Sequence, residues 1–164
     1  MSKRRIQPLG GGRHRVEIPA DERHLLADLA RQMRTLLTQD GTGELTKRLY
    51  PTAYADDAER DAEFKALMSD DLLAGRLHSA DVLEESAEAT ELDDEQLMGW
   101  IAAVNDLRLV LGTRLDVSED ENPEDRAGEP GYAVYHYLGW LLEHLMDCAR
   151  STLPDVSDDG MAPG

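Results

Sequence analysis

One cysteine, one phenylalanine and only 5% aromatic residues among 164 positions set the first limits on this chain. A single thiol, Cys148, cannot form an intrachain disulfide or a cysteine-built zinc site, since each needs at least two thiols. No run approaches the roughly 18 consecutive apolar residues of a membrane helix. The opening MSKRRIQPLGGG has no apolar stretch behind its basic residues, so neither a membrane span nor a secretory signal is expected. Bases are scarce as well: 17 Lys and Arg face 34 Asp and Glu, a formal charge of −17. That balance disfavours non-specific nucleic-acid binding by the body of the protein. Together these absences point to a reducing cytoplasm and away from a membrane.

What is present suits a single folded unit. Apolar residues make up 41% and charged residues 31% of the chain, and a length of this order can bury about two thirds of its surface without metal or disulfide support. The expected domain covers residues 1–152, with a basic arm and hairpin start at 1–12 and an acidic loop at 116–131, and a disordered tail at 153–164. Charge is uneven along it. Lys3, Arg4, Arg5, Arg13 and Arg15 lie in the first 15 residues with no acid, which leaves 12 bases against 34 acids, or −22, for the rest. The arm is a candidate DNA-contacting tail or an ordinary solvated terminus that pairs with the acidic body.

Periodicity predicts a mainly α fold, a compact multi-helix domain of about four to five helices with a small N-terminal β-hairpin. Alternating runs around Ile6 and around Val16 and Ile18 flank Gly10, Gly11 and Gly12, a hairpin pattern. From Pro19 to about Gln39 a helical stripe follows, with Leu25, Leu26, Leu29, Met33, Leu36 and Leu37, ending at Asp40-Gly41. The segment Leu49 to Tyr54 holds Pro51 and reads as a packed connector. Asp56 and Asp57 then begin a helix that pauses near Ser69 and Asp70, before a second short helix through Leu72, Leu77 and Leu83. Between Asp81 and Glu95 stand eight acids and no base, a solvated helix end and loop.

The word Leu92-Asp93-Asp94-Glu95-Gln96-Leu97 carries a capping box, Asp93 with Gln96, inside a hydrophobic staple, Leu92 with Leu97. The helix it starts is apolar on several faces and should be the most buried. From Asp116 to Gly131 come seven acids, one Arg, two prolines and two glycines, too little apolar matter to order itself. A last helix runs from about Tyr132 to Ser151. Its Tyr132, Tyr135 and Trp140 would allow a homodimer or complete a monomer's core.

Candidate chemistry is sparse. Asn105 and Arg108 are three apart in an apolar helix that also carries Arg114, so this polar set would either clamp a carboxylate or phosphate or pair with acids of neighbouring helices. His144 and Cys148 are four apart, so an imidazole could activate the thiol as a redox site, or the thiol could lie inert on the apolar stripe. His136, His144 and Glu143 make a poor metal clamp across two helical turns, and no metal or other cofactor is expected. There is no phosphate loop, nucleophile elbow or His-Glu-x-x-His pair, so no enzyme is expected.

Four ordered words carry a resemblance: Tyr50-Pro51-x-Ala53-Tyr54-x-Asp56-Asp57; Glu63-Phe64-x-x-Leu67-Met68; Trp100-x-x-x-Val104-Asn105-Asp106-Leu107-Arg108-x-x-Leu111-Gly112-x-Arg114-Leu115; and Tyr135-x-Tyr137-Leu138-x-Trp140-Leu141. From about residue 13 to 150 the chain resembles the actinobacterial domain-of-unknown-function family that includes the oxidative-stress transcription regulator AosR. The resemblance implies a cytoplasmic, non-enzymatic regulator that senses oxidants through a Cys-x-x-x-Cys pair and acts with a sigma factor or RNA polymerase. Here the pair lacks a member, since His144 and Thr152 stand four residues either side of Cys148. Family members also tend to be encoded near an adaptor of the Clp protease, so the alternative is an adaptor or accessory protein of Clp-type regulated proteolysis. A body at −22 favours a protein partner over direct operator reading, with DNA met only indirectly or through the basic arm.

Overall fold

The structure is a computed structural model and describes residues 6–39, 58–115, 128–129 and 131–152, with backbone only at 58, 60–71 and 152. The expected connector at 49–54, the tail from 153 and nearly all of the acidic loop lie outside these residues. Three strands and four helices are described: β1 (Ile6–Gly10), β2 (Arg13–Val16), α1 (Ala20–Gln39), α2 (Ala58–Ser86), β3 (Glu91–Asp93), α3 (Asp94–Leu115) and α4 (Tyr132–Thr152). The fold is mainly α, as its periodicity predicts. None of the described helices is long and apolar enough to cross a membrane.

The glycine turn forms because Gly10, Gly11 and Gly12 all take positive φ, a region costly for a side chain with Cβ. It folds β1 onto β2 with Ile6 opposite Val16 and a register shift between Pro8 and Gly10. A third strand joins them. β3 pairs antiparallel with β2, His14 opposite Leu92, inside the acid-rich stretch expected to be loop. Alternation explains it: Glu91 points to solvent while Leu92 is fully buried, so one apolar residue is enough to seat a three-residue strand.

α2 is a second correction, one helix of 29 residues with no pause near Ser69 and Asp70. Ser and Asp are weak helix formers but cost only tenths of a kcal/mol each, whereas proline, the true breaker, is absent from this stretch. The capping box at the start of α3 is formed as read. Gln96 N–H donates to Asp93 Oδ1 at 2.7 Å and Asp93 N–H to Gln96 Oε1 at 2.9 Å, satisfying two otherwise orphaned donors.

The helices pack as neighbours in chain order, with α3 between α2 and α4, α1 against α2, and β1 lying on α4. Leu26, Leu37, Leu83, Leu97, Trp100, Val104, Leu138, Leu141 and Leu145 make the common core. Trp100 is wholly buried, yet its Nε1–H donates to Ser86 Oγ at 2.6 Å, which meets the indole's need for a partner. Close approach of α2 and α3 depends on Gly99, where an added Cβ would stand 2.7 Å from Val82 Cγ1.

Candidate functional site

The Asn105-Asp106-Leu107-Arg108 word is split by its helical phase. Asn105 is exposed, and the buried polar member is Asp106, whose carboxylate receives Arg76 of α2 at 2.6 Å. Burial pushes the Asp106 carboxyl above its ordinary range, with the Arg76 charge pulling the other way. Arg114 is exposed and borders a different groove. Asn105, Arg108 and Arg114 therefore form no single cluster.

Arg108 was expected either to clamp an anion or to pair with neighbouring acids, and among the described residues it has no ion pair. It lies instead over the Tyr135 ring of α4, its Cζ 4.9 Å from the centroid, a cation–π contact. Its Nε is closed off from solvent and has no hydrogen-bond acceptor. Beside it Gly139 presents bare backbone, and a Cβ there would meet that Nε at 3.1 Å. With His136, Trp140, Leu142, Glu143 and Met146, these residues line a cleft of about 430 Å³ on the α3–α4 face. The aromatic spacing of α4 builds one wall: Trp140 packs on Tyr137 and, at 4.1 Å between ring centres, on His144. Tyr132, by contrast, is buried.

A second groove, of about 400 Å³, runs between α1 and α3 down to Leu138 of α4. Leu29, Met33 and Leu36 face Leu107, Val110 and Leu111 across it, with Arg31 and Arg114 at its border.

Cys148 is 2% exposed and sits under the edge of the sheet, its thiol donating to the Ile6 carbonyl at 3.4 Å. His144, one turn earlier on the same helix, has its Nδ1 engaged with the Trp140 carbonyl at 2.8 Å. Of the basic arm, Lys3, Arg4 and Arg5 lie outside the described residues. Arg13 and Arg15 are exposed on β2 and stand near Glu91 and Glu17, at 3.7 and 3.9 Å, so the arm's described part leans toward the protein's own acids. Among the described residues no group of three His, Cys, Asp or Glu side chains is placed to hold a metal ion.

Two residues that sequence reasoning passed over anchor the sheet end. His14 is wholly buried and bonds Asp94 of α3 at 2.8 Å through Nε2, and Asp94 also rests against the Gly12 turn. Arg23 donates to four main-chain carbonyls, Ile18, Ala87, Ala89 and Val16, at 2.7 to 2.9 Å. The burial of alternate residues in β2 could have flagged His14. No local signal marks Arg23, because two of its acceptors are more than 60 residues away.

The sequence matches a family described as a domain of unknown function, DUF2017, over residues 3–149. It is similar to a Mycobacterium leprae protein of the AosR name, 31% identical over 127 residues, or 73% of this chain and 58% of that protein. It is equally similar, at 31% over 104 residues, to the oxidative stress regulators AosR of Mycobacterium bovis and Mycobacterium tuberculosis, which covers 58% of this chain and 47% of each. The chain thus spans about half the length of the curated relatives it matches. No solved structure matches it.

Proposed function

This chain belongs to the DUF2017 family, and from that premise we propose a regulatory, non-enzymatic protein of the oxidative-stress response that acts by docking a protein partner, a sigma factor or RNA polymerase. The relatives' names supply the stress-response part of the reading. The observation that supports docking is the make-up of the α3–α4 cleft. Arg108, Tyr135, Trp140 and Met146 line it, and Arg, aromatic residues and Met are the types enriched where proteins bind proteins. The charge of −17 fits the same reading, since it repels DNA and attracts basic protein surfaces.

Oxidant control in this chain would run through Cys148. With one thiol, oxidation gives a sulfenic acid, its higher oxyacids or a bond to another molecule, and because Cys148 is 2% exposed and bonded to the Ile6 carbonyl of β1, separation of β1 from α4 would open the sulfur to the oxidant. Oxidation in that open state would keep the sheet loosened from the helices. The test is binding of the purified protein to RNA polymerase holoenzyme and to isolated sigma factors, with and without peroxide. Retention that peroxide changes in wild type and not in Cys148→Ser supports the reading. Failure to bind any of these proteins overturns it, and retention of Clp components in their place would transfer the protein to regulated proteolysis.

A further inference from the structure

A partly buried arginine in a chain with twice as many acids as bases has carboxylates within easy reach. Arg34 takes Asp81 and Glu84, and Arg76 takes Asp106. Arg108 takes none among the described residues. Its face is covered by Tyr135, and the bare backbone at Gly139 admits its Nε edge. Only Nε is closed off, so the two terminal nitrogens border the open cleft. A cation–π contact uses the face of the guanidinium and leaves its edge free to donate. The group is thus held in one place with its fork unfilled.

We propose that the Arg108 fork receives a single carboxylate carried next to an apolar or aromatic side chain on an otherwise basic or neutral segment of the protein partner. The carboxylate meets the two terminal nitrogens end-on, the geometry in which a planar guanidinium and a planar carboxylate match best. Trp140, Leu142 and Met146, the apolar walls of the same cleft, receive the neighbouring side chain. Charge decides against phosphate. One cation answers one negative charge, while a phosphate dianion would meet Glu143 on the cleft wall and the field of a strongly acidic protein. This inference rests on the docking reading above and names the chemistry its partner must present.

The experiment is a nuclear magnetic resonance titration of the whole 15N-labelled protein, read at its two tryptophan indole N–H signals. Trp140 lies in the cleft; Trp100, bonded to Ser86 in the core, reports the fold. The probes are the blocked dipeptides acetyl-Phe-Glu-amide and acetyl-Phe-Gln-amide, sodium acetate and inorganic phosphate. The Glu peptide should move the Trp140 signal saturably, and the Gln peptide should bind roughly tenfold more weakly for want of the charged hydrogen bonds. Arg108→Met should erase that preference, and Arg108→Lys should keep part of it, with the Trp100 signal unmoved in both. Equal binding of the two peptides, equal binding of phosphate or acetate, or no saturable shift overturns the proposal. Polymerase or sigma-factor capture that Arg108→Met leaves unchanged would also overturn it while keeping the docking reading. Preference for the Glu peptide without any such capture would uphold the site and remove the named partner.

Discussion

The end of the molecule where the sheet meets α1 and the face where α3 meets α4 treat an arginine in opposite ways. At the sheet end Arg23 spends all three guanidinium nitrogens on main-chain carbonyls from β2, the turn before α1 and the loop that follows α2. Those carbonyls belong to segments that leave regular structure, where the chain has no ladder to satisfy them. On the α3–α4 face Arg108 lies between two complete helices whose carbonyls are already engaged, and it rests on a ring. Asp106, two positions earlier, faces α2 instead and pairs there with Arg76. The contrast separates two uses of one side chain. Where loops leave acceptors open an arginine ties elements together, and where helices leave none it remains available to something outside the fold.

Removing each arginine tests that separation, and the largest effect belongs to Arg23. Arg23→Met keeps much of the apolar stem and strands the carbonyls of Val16, Ile18, Ala87 and Ala89. A loss of about 3 to 5 kcal/mol is expected, the range for breaking a partly buried charged network. At about 2 to 4 °C per kcal/mol for a chain of this size, that lowers the melting temperature by roughly 10 °C. Urea denaturation followed by circular dichroism measures it. A loss below about 1 kcal/mol would mean that water replaces the side chain at no great cost, and the contrast with Arg108 would collapse.

The Arg76–Asp106 pair is the intermediate case, a charge pair inside the helices. Burial raises the Asp106 carboxyl above its ordinary value in spite of Arg76. The folded state therefore holds the proton more tightly than the unfolded state. Asp106 subtracts stability as the pH climbs from the ordinary carboxylate range through its raised folded value. Asp106→Asn has no proton to lose. It should be less stable than wild type by about 2 kcal/mol in acid, where it gives up a fitted carboxyl group and its bonds, and the gap should narrow as the pH rises toward 7. Urea midpoints of both proteins across the acid range decide it, and a gap that widens with pH would show that Arg76 outweighs burial.

How much of this was readable beforehand depended on whether the cause was local. The bounds of α1 and α4, the glycine turn and the Asp93–Gln96 box all follow from residues within a few positions of one another, and all are found where the pattern puts them. β3 was missed because its cause is a pairing with β2, some 80 positions earlier, and three residues amid acids carry almost no pattern of their own. The single long α2 was missed because weak helix formers were read as breakers. At the candidate site, the Asn-Asp-Leu-Arg word stands out in the sequence, but its phase does not. Which of Asn105 and Asp106 turns inward is settled by Arg76, thirty residues upstream. The open state of Arg108 depends on Tyr135 and Gly139 from another helix, and neither residue is remarkable in its own neighbourhood.

The smallest stability effects, and the sharpest functional ones, are expected on the α3–α4 face. Arg108→Met should cost no more than about 1 kcal/mol, the scale of one partly exposed cation–π contact, because among the described residues the guanidinium makes no ion pair. Gly139→Ala should do less still. An alanine in a helix interior is favoured over glycine by about 1 kcal/mol, while its Cβ would come within 3.1 Å of Arg108 Nε, and that contact gives most of the gain back. Thermal melts should place this variant within about 0.5 kcal/mol of wild type. Yet the added methyl must push the guanidinium by a few tenths of an ångström, away from the position in which the ring and the bare backbone hold it. A bidentate acceptor is sensitive to such a shift where a packed helix pair is not. Affinity for the Glu dipeptide should fall a few-fold in Gly139→Ala with the melting curve unchanged. An unchanged affinity would mean that Gly139 serves only the packing of α4 against α3.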